Sequence, residues 1–175
     1  MIFYIAQAVG FVGMAFLFIA FQHNDKKKIL WLQAGTAAAF AVHFFMLGAF
    51  AGMAVNLLNI PRNVIFARSQ RRMWTYIFIG LFLLLGIFVW EGPLTLLPII
   101  AACISTIVFS FENPRYIRFL SLPIVVFWMV YNITSLSVPG VMTEAFGLIS
   151  ITIAIFRYDI FKKKEESIVQ EEKPQ

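Results

Sequence analysis

Seven apolar stretches separated by short polar breaks make up almost the whole of this chain. A helix that crosses the hydrocarbon core of a bilayer needs about 20 mostly apolar residues, with roughly 17–25 tolerated. On that measure the pattern predicts spans over 2–22, 29–47, 53–67, 74–90, 94–111 and 116–135, and a seventh that opens after Ser137-Val-Pro-Gly and ends near Tyr158. Gly48 to Gly52 reads as a tight turn between the second and third spans, and Glu91-Gly-Pro closes the fourth.

Charge placement orients these spans. All 14 Lys and Arg residues fall in four clusters: Lys26–Lys28, Arg62 to Arg72, Arg115 with Arg118, and Arg157 through Lys162–Lys164 to Lys173. A charged side chain at the membrane centre costs roughly 2.5–3.5 kcal/mol on insertion scales, and cytoplasmic loops keep the excess of Lys and Arg. Only odd-numbered spans end, and only even-numbered ones begin, at a basic cluster. The N-terminus is therefore expected outside and the C-terminus inside. Trp31, Trp74, Tyr76, Tyr116 and Tyr158 then fall at the inner headgroup level, with Tyr4 and Trp90 at the outer.

Composition narrows the class. Hydrophobic residues are 61% of the chain and charged ones 13%, against a globular norm of about 45–50% and about 25%. The net charge of +5 does not point to nucleic acid, because the basic residues abut apolar spans instead of forming one soluble face. One cysteine, Cys103, and two histidines support neither a disulfide framework nor a metal centre, and no cofactor is expected. The first span lacks a positive n-region and a small-residue cleavage signal, so a removable signal peptide is not expected. The tail over 159–175 is rich in Glu and Lys and is expected to be disordered.

The layout repeats. An offset of 88 residues pairs Phe21 with Phe109, Ile29 with Ile117, Gly52 with Gly140 and Ile65 with Ile153 without gaps, and it superposes the basic loops as well. The expected fold is an all-α polytopic membrane protein with seven transmembrane helices. Two parallel three-helix repeats, 1–68 and 93–158, are joined by a linker helix within 69–92 (a 3-1-3 plan), with the two triplets related by an axis along the membrane normal.

Phe21-Gln22 before the basic loop, His43-Phe-Phe-Met-Leu-Gly-Ala, Asn56 and Arg62-Asn63 together resemble the YgjV-like family of bacterial inner-membrane proteins. That resemblance covers the chain up to Tyr158; it implies a location and no activity. More distantly, the 3-1-3 plan is similar to the SWEET and PQ-loop transporters, whose Pro-Gln positions read Phe21-Gln22 and Phe109-Ser110 here. In the sugar-transporting relatives, an Asn on the third helix of each triplet and a Trp on the second build the pocket. The resemblance implies those roles for Asn56 and Trp128. Glu144 stands where a second Asn is expected, and Phe40 where a second aromatic is. An acid in place of an amide argues against a neutral sugar as substrate.

Polar side chains within the spans carry the candidate chemistry, because hydrocarbon offers them no water. Gly52, Asn56, Asn59 and Asn63 share one face of the third helix, and Gly140, Glu144 and Gly147 repeat the register on the seventh. Such stripes serve helix packing as readily as pocket lining. Glu144 is the one acid well inside a span; burial disfavours its charged form, which makes it the proton-coupling candidate. The competing reading is a neutral Glu bonded to Asn56, Tyr131 or a carbonyl. Pro61 is a hinge candidate, and Pro98 and Pro123 are read the same way. His43 is weighed as a helix-contact residue first and a pocket residue second, with Tyr131 and Asn132 in the equivalent place on the sixth helix. Arg62 is expected to snorkel to the headgroups, and Gln7 and Gln33 to need no explanation beyond lying near helix ends.

The expected function is a carrier of a small solute in the bacterial inner membrane, proton-linked through Glu144, with substrate contacts from Asn56, Trp128, Glu144, His43, Asn59 and Tyr131. The alternative is a non-transporting scaffold, lipid-binding or sensory protein on the same fold. An enzyme is not expected: no Ser–His or paired-Asp arrangement occurs inside the spans. The bilayer is the expected partner, nucleic acid is not, and a homo-oligomer stays open.

Overall fold

The computed structural model describes residues 1–161 apart from 24, 70, 110, 112 and 113. Ser110 of the Phe109-Ser110 pair and the expected disordered tail from residue 162 lie outside them. Among the described residues the chain forms seven α-helices: α1 (Ile2–Phe21), α2 (Lys26–Leu47), α3 (Phe50–Arg68), α4 (Arg72–Phe88), α5 (Leu96–Val108), α6 (Pro114–Thr134) and α7 (Val138–Ala154). A 3-10 turn, Pro93–Thr95, precedes α5, and α7 runs on into a π-helical turn, Ile155–Phe161.

Local chemistry sets several of these boundaries. The Asp25 carboxylate accepts from the Lys27 amide at 2.9 Å and opens α2, and Gly48, at φ 72°, closes it in the left-handed region that a Cβ disfavours. Ser137 caps α7 by accepting from the Gly140 amide at 3.1 Å, while Pro139 sits in the first turn where no N–H is needed. Ala49 offers α3 no side-chain cap. The Tyr131 hydroxyl, from α6, accepts the Gly52 amide instead, at 2.7 Å. One helix start is thus completed by a residue 79 positions away.

Four stretches are long and apolar enough to cross a membrane: Ile2–Ala20, Lys26–Leu47, Arg115–Thr134 and Val138–Arg157. Asn56, Asn59, Arg62 and Asn63 dilute the hydropathy of α3. At 1.5 Å per residue, the 17 residues of α4 reach about 25 Å and the 13 of α5 about 20 Å, short of a ~30 Å core. The fifth span, expected over 94–111, is shorter as a helix because the 3-10 turn, which follows Gly92 at φ 137°, occupies its start and α5 ends at Val108. Pro98 lies in the first turn of α5, where its missing N–H breaks no helical bond, so the kink expected there has no cause. Pro61 and Pro123 lie inside α3 and α6, both of which run through as single helices.

Consecutive helices pack as hairpins, α4 lies against both α3 and α5, and the first three helices meet the last three where α1 packs on α7 and α3 on α5. Leu30, Val55, Phe66, Phe78, Phe82, Ile99 and Ala102 form one buried core, and Phe40, Phe44, Ala51 and Tyr131 a second. The outer surface is apolar: Phe88 is 84% and Ile87 72% exposed, an arrangement suited to lipid. The turns near Gly48, Gly92 and Ser135 border one concavity and define a turn end. At the opposite, basic end, the Arg68 guanidinium lies over the Trp31 ring at 5.5 Å and Lys26 Nζ donates to the Phe109 carbonyl at 3.4 Å.

The backbone keeps the 88-residue step. α2 and α6 open at Lys26 and Pro114, and α3 and α7 at Phe50 and Val138. The left-handed residues between them, Gly48 at φ 72° and Leu136 at φ 54°, are spaced identically. So are the two N-cap positions, Ala49 and Ser137.

Candidate functional site

Asn56 and Asn59 of the α3 stripe and Gly140 and Glu144 of the α7 stripe face a common space, whereas Gly52, Asn63 and Gly147 do not line it. A cavity of about 140 Å³ is lined by Leu17 of α1, Thr36, Phe40 and Phe44 of α2, Asn56 and Asn59 of α3, Trp128 and Asn132 of α6, and Gly140, Thr143 and Glu144 of α7. Three pairs in this lining stand 88 residues apart: Phe40 and Trp128, Phe44 and Asn132, Asn56 and Glu144. Phe44 stacks on Trp128 with centroids 6.1 Å apart, forming an aromatic wall.

The polar groups around the cavity are underused. Asn59 Oδ1, Asn132 Oδ1 and Thr143 Oγ1 are buried with no hydrogen-bond partner. Asn56 Nδ2 donates to the Gly52 carbonyl at 2.8 Å, and the Tyr131 hydroxyl is taken by the Gly52 amide. Neither is bonded to Glu144. Among the described residues the Glu144 carboxyl has no hydrogen-bond or ion-pair partner. Buried polar groups are almost always paired, so three orphans beside an unpaired carboxyl mark a place where partners are supplied from elsewhere.

The sequence places more residues at this site than the structure brings together. Asn56, Asn59, Trp128 and Glu144 line the cavity, as does Phe40. His43 and Tyr131 do not. Tyr131 is directed to the start of α3 and borders a separate concavity of about 420 Å³ at the turn end, with Glu91 and Thr95. His43, fully buried, spends one ring nitrogen on α1 and the other on the turn into α7: Nδ1 donates to the Ala6 carbonyl at 2.7 Å, and Nε2 meets the Ser137 hydroxyl at 2.7 Å. A carbonyl can only accept, so a neutral ring carries its proton on Nδ1 and takes the Ser137 proton at Nε2. The Ser137 oxygen is then free for the Gly140 amide. Every group in this chain of bonds is satisfied without a ligand, so His43 and Glu144 share no pocket.

Gln7 reinforces the same junction. Its Nε2 donates to the Leu136 carbonyl at 2.8 Å and its Oε1 accepts from the Val138 amide at 3.0 Å. The expectation that it needs no explanation beyond its place near a helix end is corrected: it clasps both sides of the α6–α7 turn. Gln7→Leu would strand two backbone groups at about 1–3 kcal/mol each. A loss of roughly 2 kcal/mol or more in detergent unfolding, with faster amide exchange over 136–140, is the expected result.

Comparison with known proteins places this architecture. The profile of the bacterial inner membrane protein family Imp-YgjV matches residues 4–162. The chain belongs to that family. Inner membrane protein YgjV of Escherichia coli K12 is 27% identical to it over 163 residues, which cover 93% of this chain and 88% of that protein. No solved structure matches. The Imp-YgjV membership makes this an integral protein of the bacterial inner membrane.

One member of this Imp-YgjV chain's polar set departs from expectation altogether. Arg62 does not snorkel; it is 5% exposed. Its Nη1 donates to Ser105 Oγ at 2.7 Å and Thr106 Oγ1 at 3.2 Å on α5, and its Nε and Nη2 to Asn63 Oδ1 at 3.3 and 3.1 Å. The Phe109 and Phe82 rings lie 5.0 and 5.7 Å from its central carbon. Five N–H donors in a planar fork let a guanidinium bind hydroxyls and rings at once, which an ammonium cannot do. Arg62 therefore ties α3 to α5 toward the basic end, as Gln7 and His43 tie α1 and α2 to α7 at the turn end.

Asn132 and Thr143 were not singled out from sequence as site residues. The 88-residue offset carried a signal for Asn132, the counterpart of cavity-lining Phe44; Thr143 had none beyond adjacency to Glu144.

Proposed function

We propose that this inner-membrane protein is a carrier for a small solute. In this reading all seven helices cross the bilayer with the N-terminus outside, in two parallel triplets joined by α4, and the cavity between the triplets is the solute site. The observation that carries the proposal is that positions 88 residues apart line one cavity in which Asn59 Oδ1, Asn132 Oδ1 and Thr143 Oγ1 lack partners. The repeated helix boundaries and the interchangeable contacts, α1 on α7 and α3 on α5, support the two-triplet plan.

Rocking one triplet against the other supplies alternating access. Opening the turn end breaks the Gln7 and His43 bonds to the α6–α7 turn. Opening the basic end breaks the Arg62 bonds to α5. Glu144, the only titratable side chain in the lining, takes up a proton or a cationic group as the cavity changes exposure. A lone carboxyl without a partnering base or nucleophile suits binding better than acid–base chemistry, so the reading is not an enzymatic one.

Purified protein in liposomes should accumulate some member of a broad panel of small solutes, and Glu144→Gln should slow that uptake at least tenfold. Uptake equal to that of empty liposomes across the panel would remove the carrier. A reporter fused after Phe161 should be cytoplasmic; a periplasmic one would reverse the orientation. The second reading, a non-transporting scaffold on the same fold, draws on the ties at both ends, which hold the halves together, and on the small size of the cavity next to ordinary ligand pockets of about 300–1,000 Å³.

A further inference from the structure

Glu144 is the one side chain in the cavity lining that can carry a full charge, and nothing opposite balances it. Arg62 and His43, the nearest candidates by chemistry, are committed to Ser105, Thr106 and Asn63 and to Ala6 and Ser137. A proton would neutralise the carboxyl. The neutral acid would gain a single O–H donor, enough for one at most of Asn59, Asn132 and Thr143, with Asn132 only 2% and Thr143 8% exposed. An occupant that offers several hydrogen bonds at once answers both deficits.

The walls narrow the choice. Phe40, Phe44 and Trp128 present aromatic surface, which attracts ammonium groups electrostatically and alkyl groups by burial. An anion would meet the Glu144 carboxylate, and a divalent metal has no ligand set: no group of three His, Cys, Asp or Glu side chains occurs among the described residues. The volume of about 140 Å³ equals four or five waters at about 30 Å³ each.

We propose that the cavity is a site for a small organic monocation, a protonated primary amine of about four to six heavy atoms, held by Glu144 as counter-ion. The amides of Asn59 and Asn132 and the Thr143 hydroxyl take its N–H groups, and its alkyl part lies against Phe40, Phe44 and Trp128. This rests on the reading of the cavity as a solute site and adds the class of solute to it.

Calorimetric titration of the full-length protein in lipid nanodiscs, with empty nanodiscs as baseline, tests the assignment. Three probes with three-carbon skeletons are compared at neutral pH: propylammonium, 1-propanol and propionate. Propylammonium should bind at least tenfold more tightly than propanol, with no detectable binding of propionate. Glu144→Gln should erase that preference. Glu144→Asp draws the carboxyl back by one methylene and should move the optimum to butylammonium, which keeps the assignment decidable if the Gln variant does not fold. Propanol binding as tightly as propylammonium, a cation preference that survives Glu144→Gln, or potassium chloride binding as well as the amine would each overturn it. So would the absence of binding by all three probes. In those cases the liposome solute panel still judges the carrier independently, since uptake of a neutral solute would leave it standing.

Discussion

Arg62→Lys is expected to be more damaging than Arg62→Met. Lysine keeps a charge in a place where the described partners are all neutral, yet its single ammonium cannot reach Ser105, Thr106 and Asn63 together. An incompletely bonded buried charge costs about 3–5 kcal/mol, so a loss near 3 kcal/mol is expected for lysine. Methionine removes the charge along with its desolvation cost. The Ser105 and Thr106 hydroxyls keep their own bonds to the Ala102 carbonyl, at 2.9 and 2.7 Å, so chiefly Asn63 Oδ1 loses its donors. The expected loss is about 1–2 kcal/mol. Thermal unfolding of both variants in one detergent decides the order. Were Arg62 a snorkelling residue, lysine would be harmless and methionine the worse of the two.

Gly140→Ala is expected to be the most disruptive single methyl in the chain. A Cβ there would run into Asn132 Oδ1 and Cγ, and would lie 2.5 Å from Ser137 Oγ, inside the junction that caps α7 and holds His43. Ser137 is fully buried and held by His43 and the Gly140 amide, so it cannot retreat, and Asn132 could give way only by swinging into the cavity it lines. Overpacking of this kind costs roughly 1–3 kcal/mol and occasionally more, and the upper end is expected. Gly80→Ala is the control: a Cβ there meets nothing within 4 Å, so alanine's helix propensity should make it neutral or slightly stabilising, by up to about 1 kcal/mol. Expression and unfolding midpoints of the pair measure the contrast. Equal midpoints would mean that the α6–α7 junction is looser than its geometry indicates.

The parts of this architecture legible in the chain were those governed by period and offset. The helices themselves follow from where apolar runs meet polar breaks, although their starts at Lys26, Phe50, Pro114 and Val138 lie two or three residues ahead of the expected 29, 53, 116 and the position after Gly140. The same 88-residue step led to Asn56 and Glu144 as counterparts, and both border one cavity. What stayed hidden was decided by long-range packing. A histidine on an apolar helix looks the same whether it faces a pocket or the Ser137 hydroxyl 94 residues away. An arginine near a helix end reads alike whether it reaches headgroups or hydroxyls on another helix. A glutamine two turns into α1 gives no sign that its partner is a turn 129 residues later. Charge density along the chain reports the membrane; it does not report which cation has been taken into the protein.

The borrowed cap of α3 bears on the order of assembly. Until Tyr131 arrives with α6, the Gly52 amide lacks its one side-chain acceptor at a helix start that supplies none of its own. The Gln7 clasp likewise waits for Leu136 and Val138. A nascent chain halted after its third or fourth helix lacks these partners. Helices α1 and α3 are therefore expected to reach their final bonding only once α6 and the turn after it are in place, which would couple the early helices to the late ones in a single folding step.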